Sequence, residues 1–288
     1  MKRMSSSELI FKVLSYFFIS LFIILAAYPL IYVLSASLSG RAAYETGQVF
    51  LLPKDVNFQV YEILYARNGF WISYTNTLFY TVFGTIFSMT VSAMGAYALS
   101  KKRLKFRRQY NFFVVFTMWF SAGMIPSFLN YTSMGVDNKW GIVIAFGIQA
   151  YNIILLRNYF ESVPQEIEEA ARIDGANEFQ LFTKIYLPMS TAALATVTLF
   201  YATSRWNGYF WASILLKNPH EKPLQVFLRS EIMTYRTLIE NMVTDTLEFS
   251  PDSYAYAILI CSIIPILIIY PYIQKYFARG VNLGGVKG

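Results

Sequence analysis

Six long apolar stretches constrain this chain more than any other feature of its sequence. Each holds about 20 or more mainly apolar residues, enough for a helix rising 1.5 Å per residue to cross a hydrocarbon core roughly 30 Å thick. The stretches predict an all-α, polytopic membrane protein with six transmembrane helices, in which residues 1–288 form one domain. They occupy residues 13–34, 74–100, 110–128, 140–160, 189–216 and 254–276.

Composition excludes the other broad classes of protein. Hydrophobic residues make up 56% of the 288 residues and charged residues 14%, whereas soluble domains have about 45–50% and about 25%. Too few charges remain to cover a soluble surface, and the apolar content is too high for a disordered chain. The single cysteine excludes a disulfide scaffold.

The first stretch has two interpretations. Lys2, Arg3 and Lys12 precede it and Ser35-Ala36-Ser37 follow it, a pattern that a cleaved signal peptide also shows. A signal peptide, however, has an apolar core of only about 7–15 residues, and this stretch is longer. We therefore expect a retained membrane anchor.

The distribution of basic residues predicts the orientation. With the amino terminus in the cytoplasm, fifteen Lys and Arg lie in inner segments and eight in outer ones, while Arg205 lies within the fifth stretch. Residues 101–108 carry six basic residues and no acid. A nucleic-acid patch is the rival interpretation of this run, but short loops between spans commonly carry such charge on the cytoplasmic side. We expect both termini in the cytoplasm and no nucleic-acid partner.

The segment between the fourth and fifth stretches, residues 161–188, has the most informative local pattern. Ser162 and Gln165 are spaced as a capping box that starts a helix, with Pro164 in its first turn. Gly175 stands where a left-handed residue ends a helix. A second helix follows, with Phe179, Phe182 and Ile185 on one face. A helix resting on the bilayer is the alternative, but anionic headgroups would repel its acidic first half.

At this segment the chain resembles a known family. Glu169-Ala170-Ala171, three residues, Gly175, nine residues and Ile185-x-Leu187-Pro188 match the "EAA" signature of ATP-binding-cassette (ABC) importer permeases. Trp206-Asn207 and Pro223-Leu224-Gln225 resemble the carbohydrate, or maltose-type, permeases. The end of the chain, from Pro271 through residues 280–288, resembles a subgroup associated with complex or acidic oligosaccharides.

The resemblance implies a fold, partners and contact residues. The fold would be that of a type I ABC importer permease in a bacterial cytoplasmic (inner) membrane. Residues 161–188 would form the coupling loop, which lies in a cleft of an ATPase subunit and passes on its closing movement. The partners would be a second, related permease, two ATPase subunits, an extracytoplasmic solute-binding protein, membrane lipid and a sugar. The implied ATPase contacts are Glu169, Ala170, Ala171, Asp174 and Gly175.

The sequence offers no catalytic, nucleotide or metal site. Residues 280–288 are the nearest approach to a P-loop, but Val286 stands where a lysine is required. The single histidine, His220, is expected to be exposed in an outer loop, and Cys261 is expected to pack within the sixth stretch. We therefore expect no enzyme activity and no cofactor in this chain, with ATP and Mg²⁺ bound by the partner ATPase.

Polar and aromatic residues of the fifth stretch predict a substrate path. Tyr201, Arg205 and Tyr209 are four apart and would share a helix face, with Trp206 and Asn207 beside them. Aromatic rings stack on the apolar faces of sugars, and a guanidinium binds carboxylates bidentately. Arg205 in a cavity would therefore favour a uronate oligomer. Alternatively, it pairs with a partner subunit or a backbone carbonyl.

Together these features predict the permease subunit of an ABC importer for sugars, in particular oligosaccharides. An ABC permease for another small solute is the nearest alternative. An ion-coupled secondary transporter is disfavoured because no acidic residue falls within the six stretches. A structural assembly factor would not need the signature segment.

Overall fold

A computed structural model describes residues 6–241 and 249–284. Residues 285–288, at the end of the tail that resembles the oligosaccharide subgroup, lie outside the described residues. The described part of the chain is helical, and its one β-type pairing is an isolated bridge between Ser39 and Val56. The helices are α1 (Ser6–Ser37), α2 (Arg41–Glu45), α3 (Gln59–Ala66), α4 (Asn68–Ser100), α5 (Arg107–Trp119), α6 (Met124–Ser133), α7 (Lys139–Ala145), α8 (Ala150–Glu161), α9 (Gln165–Ile173), α10 (Glu178–Gln180), a π-helix (Leu181–Tyr186), α11 (Leu187–Met189), α12 (Thr191–Trp206), α13 (Phe210–Leu215), a 3₁₀-helix (Pro219–Glu221), α14 (Leu224–Asn241) and α15 (Pro251–Gly284).

Three of the predicted spans are continuous helices and three are bent pairs. Ser7–Ser37, Asn68–Ser100 and Pro251–Ile268 are each long and apolar enough to cross a membrane. The bent pairs are α5 with α6 at 117°, α7 with α8 at 52°, and residues 178–189 with 191–215 at 84°. With each pair counted as one span, the described residues hold up to six.

The third, fourth and fifth stretches are therefore not continuous helices, although the six predicted spans are kept when each bent pair counts as one. Between α5 and α6 the backbone turns at Gly123, whose φ of +84° is readily adopted only by glycine. Between α7 and α8 four residues, 146–149, leave the helix. The fifth stretch is interrupted again between Trp206 and Phe210. Such breaks are tolerated at membrane depth where neighbouring protein satisfies the exposed backbone groups.

The chain divides into two compact units, residues 1–68 with 228–264, and residues 69–227 with 265–288. A single permease domain over residues 1–288 stays a prediction. In the first unit, α1 has apolar side chains exposed along most of its length. Its last turn packs Ala36 with Ala43 and Val49, and Ser253 Oγ donates to the carbonyl of Ala36 at 3.0 Å. Cys261 is buried in this unit, as expected.

In the described part of the second unit, one buried cluster lies towards each end of α4. One joins Ala93 and Ala96 of α4 to Leu156, Tyr186 and Val197. The other surrounds Tyr80 and includes residues of α7, α13 and α14, namely Ile142, Val143, Ala212, Leu215 and Val226. Polar contacts also hold the first half of α4 to the segment before α14, because Asn76 Nδ2 of α4 donates to the carbonyls of His220 and Lys222 at 2.7 and 3.0 Å.

Candidate functional site

The 161–188 segment folds as a short helix, a left-handed stop and a second helical stretch. Gly175 has φ +84°, and its N–H donates to the carbonyl of Arg172 at 3.0 Å. The predicted stop at this glycine is confirmed. The π-helix Leu181–Tyr186 then leads towards α12. π-Helical turns are rare and occur frequently at functional sites.

The expected capping box at Ser162 and Gln165 is wrong. Pro164 directly precedes α9 as its N-cap, so Ser162 stays in the preceding turn and donates to the carbonyl of Tyr159 at 2.7 Å. A capping box instead starts α10, where the Asn177 side chain accepts from Gln180 N and the Gln180 side chain accepts from Asn177 N, both at 2.9 Å.

One side of this segment is exposed and mixes apolar with acidic groups. Of the residues expected to contact an ATPase, Glu169, Ala170, Asp174 and Gly175 are exposed and Ala171 is half-buried. Beside them, Ile173 is 86% exposed and Phe179 73%. Exposed apolar side chains mark a protein-binding surface where they form a contiguous patch. The roles of these five residues stay predictions.

The other side of the segment is fixed to the 101–108 loop by charged groups. Glu168 accepts hydrogen bonds from Lys101 Nζ at 2.8 Å, from Arg172 Nη2 at 2.6 Å and from the Tyr186 hydroxyl. Lys101 Nζ also lies 3.7 Å from the ring centroid of Tyr186 and 4.2 Å from that of Tyr97. The ammonium group is therefore enclosed by a carboxylate and two aromatic faces.

A second acid extends these contacts. Glu178 pairs with Arg172 at 2.7 Å and with Arg103, and it accepts from the Tyr97 hydroxyl at 3.0 Å. We call the group of Tyr97, Lys101, Arg103, Glu168, Arg172, Glu178 and Tyr186 the charged clamp. It joins the end of α4 and the loop after it to both halves of the 161–188 segment.

The carboxylates of the charged clamp remain ionised at neutral pH. Burial tends to raise the pKa of Glu168, but hydrogen bonds from Lys101, Tyr186 and Arg172 outweigh burial and lower the pKa to about 2. Glu178 behaves alike, because hydrogen bonds from Arg103, Arg172 and Tyr97 outweigh its burial and lower its pKa to about 2. A lowered pKa means that these contacts stabilise the fold fully above the ordinary carboxyl pKa and are lost only as the pH falls towards 2.

A cavity of about 510 Å³ lies in the second unit, beside the helix breaks that follow α7 and α12. Its aromatic wall brings together Tyr131 of α6, Phe146 from the break after α7, and Trp211 of α13. The Tyr131 ring centroid lies 5.0 Å from that of Phe146 and 5.1 Å from that of Trp211. Polar side chains also line this aromatic cavity, among them Gln149, Ser204, Asn207 and Tyr209. Ligand pockets commonly combine these features at this size.

Arg205 also borders the cavity, but its guanidinium is engaged by the protein. Nη1 donates to the carbonyl of Ile142 at 3.1 Å, and Nη2 donates to the carbonyls of Val143 and Phe146 at 3.0 and 2.6 Å. These carbonyls lie at the end of α7, where the last carbonyls of a helix generally lack intrahelical partners; that of Ile142 also accepts from Phe146 N at 3.4 Å. Arg205 is 8% exposed and thus acts as a cap for a broken helix, the alternative that the sequence left open. Substrate binding by Arg205 stays a prediction.

The other residues predicted for the substrate path separate into two groups. Asn207 and Tyr209 line the cavity. Tyr201 is fully buried, with its hydroxyl 2.6 Å from Ser92 Oγ, and Trp206 is buried edge-on against Tyr74. The expected single helix face through Tyr201, Arg205 and Tyr209 is wrong, because α12 ends at Trp206.

Sequence reasoning missed the aromatic wall. Tyr131, Phe146 and Trp211 belong to three different spans, so no spacing along the chain relates them. The one available signal was polarity within apolar stretches, since Gln149 lies in the cavity and donates to Ser204 Oγ at 3.2 Å. No group of three or more potential metal ligands occurs among the described residues.

Comparison with known proteins gives a family match over nearly the whole chain. Residues 1–283 match the family described as binding-protein-dependent transport system inner membrane component. The polygalacturonan/rhamnogalacturonan transport system permease protein YtcP of Bacillus subtilis (strain 168) is 37% identical over 283 residues, which cover 97% of this chain and 99% of that protein.

Solved structures agree with this match. A crystal structure of a bacterial ABC transporter involved in the import of the acidic polysaccharide alginate contains a chain 46% identical to this one. Its TM-score is 0.86, and the similarity covers 96% of this chain and 100% of that chain. A bacterial alginate ABC transporter in complex with an alginate pentasaccharide-bound periplasmic protein has a TM-score of 0.63 at 14% identity, a likeness that shows the fold alone.

Proposed function

The chain belongs to the family of binding-protein-dependent transport system inner membrane components, and on that premise we propose that it is the permease subunit of an ABC importer for acidic oligosaccharides. The observation that carries the proposal is the 46% identity, at a TM-score of 0.86, to a chain of a transporter involved in alginate import. The similarity to a polygalacturonan/rhamnogalacturonan permease supports the same class, because galacturonan is also a polymer of a uronic acid.

The acidic class rests on these relatives and not on Arg205. A guanidinium that already donates to three backbone carbonyls has little capacity left for a carboxylate in the path. The aromatic cavity supports a saccharide, because its rings offer stacking surfaces and Asn207 and Gln149 offer amides for hydroxyl groups. We place the saccharide path along this cavity.

The 161–188 segment supports coupling to an ATPase in a partner subunit. Its exposed side carries Ile173 and Phe179 and offers apolar side chains to a partner. The charged clamp holds its opposite side to the end of the second span. A rigid segment with one bound side can move the spans to which it is attached. The proposed assembly contains a second permease, two ATPase subunits that bind ATP and Mg²⁺, and an extracytoplasmic solute-binding protein.

Uptake into proteoliposomes tests this function. The chain would be purified with its partner permease and ATPase and supplied with the solute-binding protein and ATP. We expect ATP-dependent, vanadate-sensitive uptake of uronate oligosaccharides in preference to neutral ones of equal length. Equal uptake of both classes would contradict the acidic specificity, and vanadate-insensitive uptake would contradict the ABC mechanism.

A further inference from the structure

Two neighbouring acids of α9 have opposite surroundings. Glu169 belongs to the signature, is exposed, and accepts from Gln165 Nε2 of its own helix at 3.1 Å. Glu168, one residue earlier, has a side chain that is only 15% exposed and that binds groups from the 101–108 loop and the π-helix. The signature acid Glu169 therefore lies on the exposed side of α9, whereas the contacts of the other side are made by Glu168, which is not part of the signature.

Lys101 is built into the same contact. It follows α4 directly, and its side chain is 9% exposed. The tyrosine rings on either side of its ammonium group come from α4 and from the π-helix. A lysine so enclosed depends on its carboxylate, because a buried charge that loses its partner is strongly destabilising where it stands.

We propose that Glu168 is a positioning residue that fixes α9 to the end of the second span through Lys101. Movement of α9 then displaces α4 together with α8 and α12, the helices to which the chain connects α9. This inference rests on the proposed function, since it assigns a route for the movement that an ATPase would impose. The covalent connections of α9 lead to α8 and, through the π-helix, to α12. Glu168 adds the connection to α4.

The geometry favours a mechanical link over a surface ion pair. Exposed ion pairs contribute little, because solvent screens them and long side chains lose entropy. Here three donors converge on one carboxylate, and two aromatic rings restrict the lysine. The link holds α9 and α4 as one body and leaves the exposed side with Ile173 open to a partner.

The test separates coupling from assembly. Glu168→Gln keeps the size of the side chain and removes its charge. Glu166→Gln makes the same change on an exposed acid of the same helix and is the matched control. In assembled transporter we expect Glu168→Gln to keep basal ATP hydrolysis while uronate-oligosaccharide uptake per ATP falls about tenfold, within the usual range of coupling between sites. Glu166→Gln should keep the same uptake per ATP hydrolysed as the unaltered complex.

Variants of Lys101, the residue that pairs with Glu168, complete the test. Lys101→Arg preserves the charge and should keep the uptake-to-ATP ratio, whereas Lys101→Met should lower it as Glu168→Gln does. An unchanged ratio in Glu168→Gln would overturn the proposal. So would failure of Glu168→Gln and Lys101→Met to assemble while Glu166→Gln assembles, because the clamp would then be required for folding. If the unaltered complex takes up no saccharide, the proposed function itself fails, and this inference fails with it.

Discussion

Gly175 combines a backbone requirement with an exposed position. Its φ of +84° lies in the left-handed region, and an added Cβ would meet no atom within 4 Å. The residue therefore needs to be glycine for its conformation, since other residues adopt that region at a cost of about 1–2 kcal/mol. Within the chain there is room for a side chain at this position, but a partner bound to this side of the segment would occupy that room.

We expect Gly175→Val to insert into the membrane and to lose transport. Gly135→Val is the matched control, because Gly135 also has a positive φ (+72°) and open space around it but lies outside the 161–188 segment. Membrane abundance should be similar for both variants, and only Gly175→Val should abolish ATP-dependent uptake. Normal uptake by that variant would contradict the assigned role of the segment.

Gly84 is a position where close packing requires glycine. A Cβ built there would lie 2.8 Å from Nε of Arg205, whose guanidinium caps the end of α7. Gly84→Ala should therefore displace Arg205 and destabilise the protein by about 1–3 kcal/mol, the usual cost of overpacking.

Gly95→Ala offers the control in the same helix, because nothing lies within 4 Å of its added Cβ. This change should be neutral or stabilising, since alanine favours a helix by up to about 1 kcal/mol over glycine. Thermal unfolding of the detergent-solubilised protein measures the difference. Equal unfolding temperatures for the two variants would show that Arg205 adapts without loss.

At the scale of elements, the sequence predicts which spans exist better than it predicts whether each span is one continuous helix. Apolar length located the spans and glycine located the stop at Gly175, because both depend on local physics. The break in the fourth span, in contrast, depends on a distant partner. The carbonyls freed near Phe146 are satisfied by Arg205, about 60 residues later, and no local pattern reports that contact. The aromatic cavity was missed for the same reason.

The break between α12 and α13 makes Asn207 a lining residue of the aromatic cavity. If an acidic saccharide passes there, Asn207→Asp should slow its uptake about fivefold, since a like charge nearby costs about 1 kcal/mol in a water-filled path. Neutral oligosaccharides should be affected no more than they are by Asn207→Ala. Initial uptake rates for both substrate classes provide the measurement, and equal slowing of both would argue against the cavity as a path for acidic sugars.

For the whole molecule, we expect the net charge of +7 to reflect the orientation of the chain in the membrane. The six basic residues of the 101–108 loop are partly used by the charged clamp, through Lys101 and Arg103. The basic loop that we predict to direct insertion thus also holds the 161–188 segment to the second span. These ion pairs require the loop and the segment to lie on the same side of the membrane, and we expect that side to be the one that a partner ATPase reaches.

Cysteine labelling tests that topology. Cys261 is buried, so the unaltered chain should react little with a membrane-impermeant maleimide. Lys217→Cys replaces an exposed residue of the predicted outer segment, and Lys102→Cys replaces an exposed residue of the predicted cytoplasmic loop. The impermeant reagent should label Lys217→Cys in cells whose cytoplasmic membrane is intact, and Lys102→Cys only after that membrane is permeabilised. The reverse pattern would place the 161–188 segment outside, beyond the reach of a cytoplasmic ATPase, and would refute the orientation on which coupling depends.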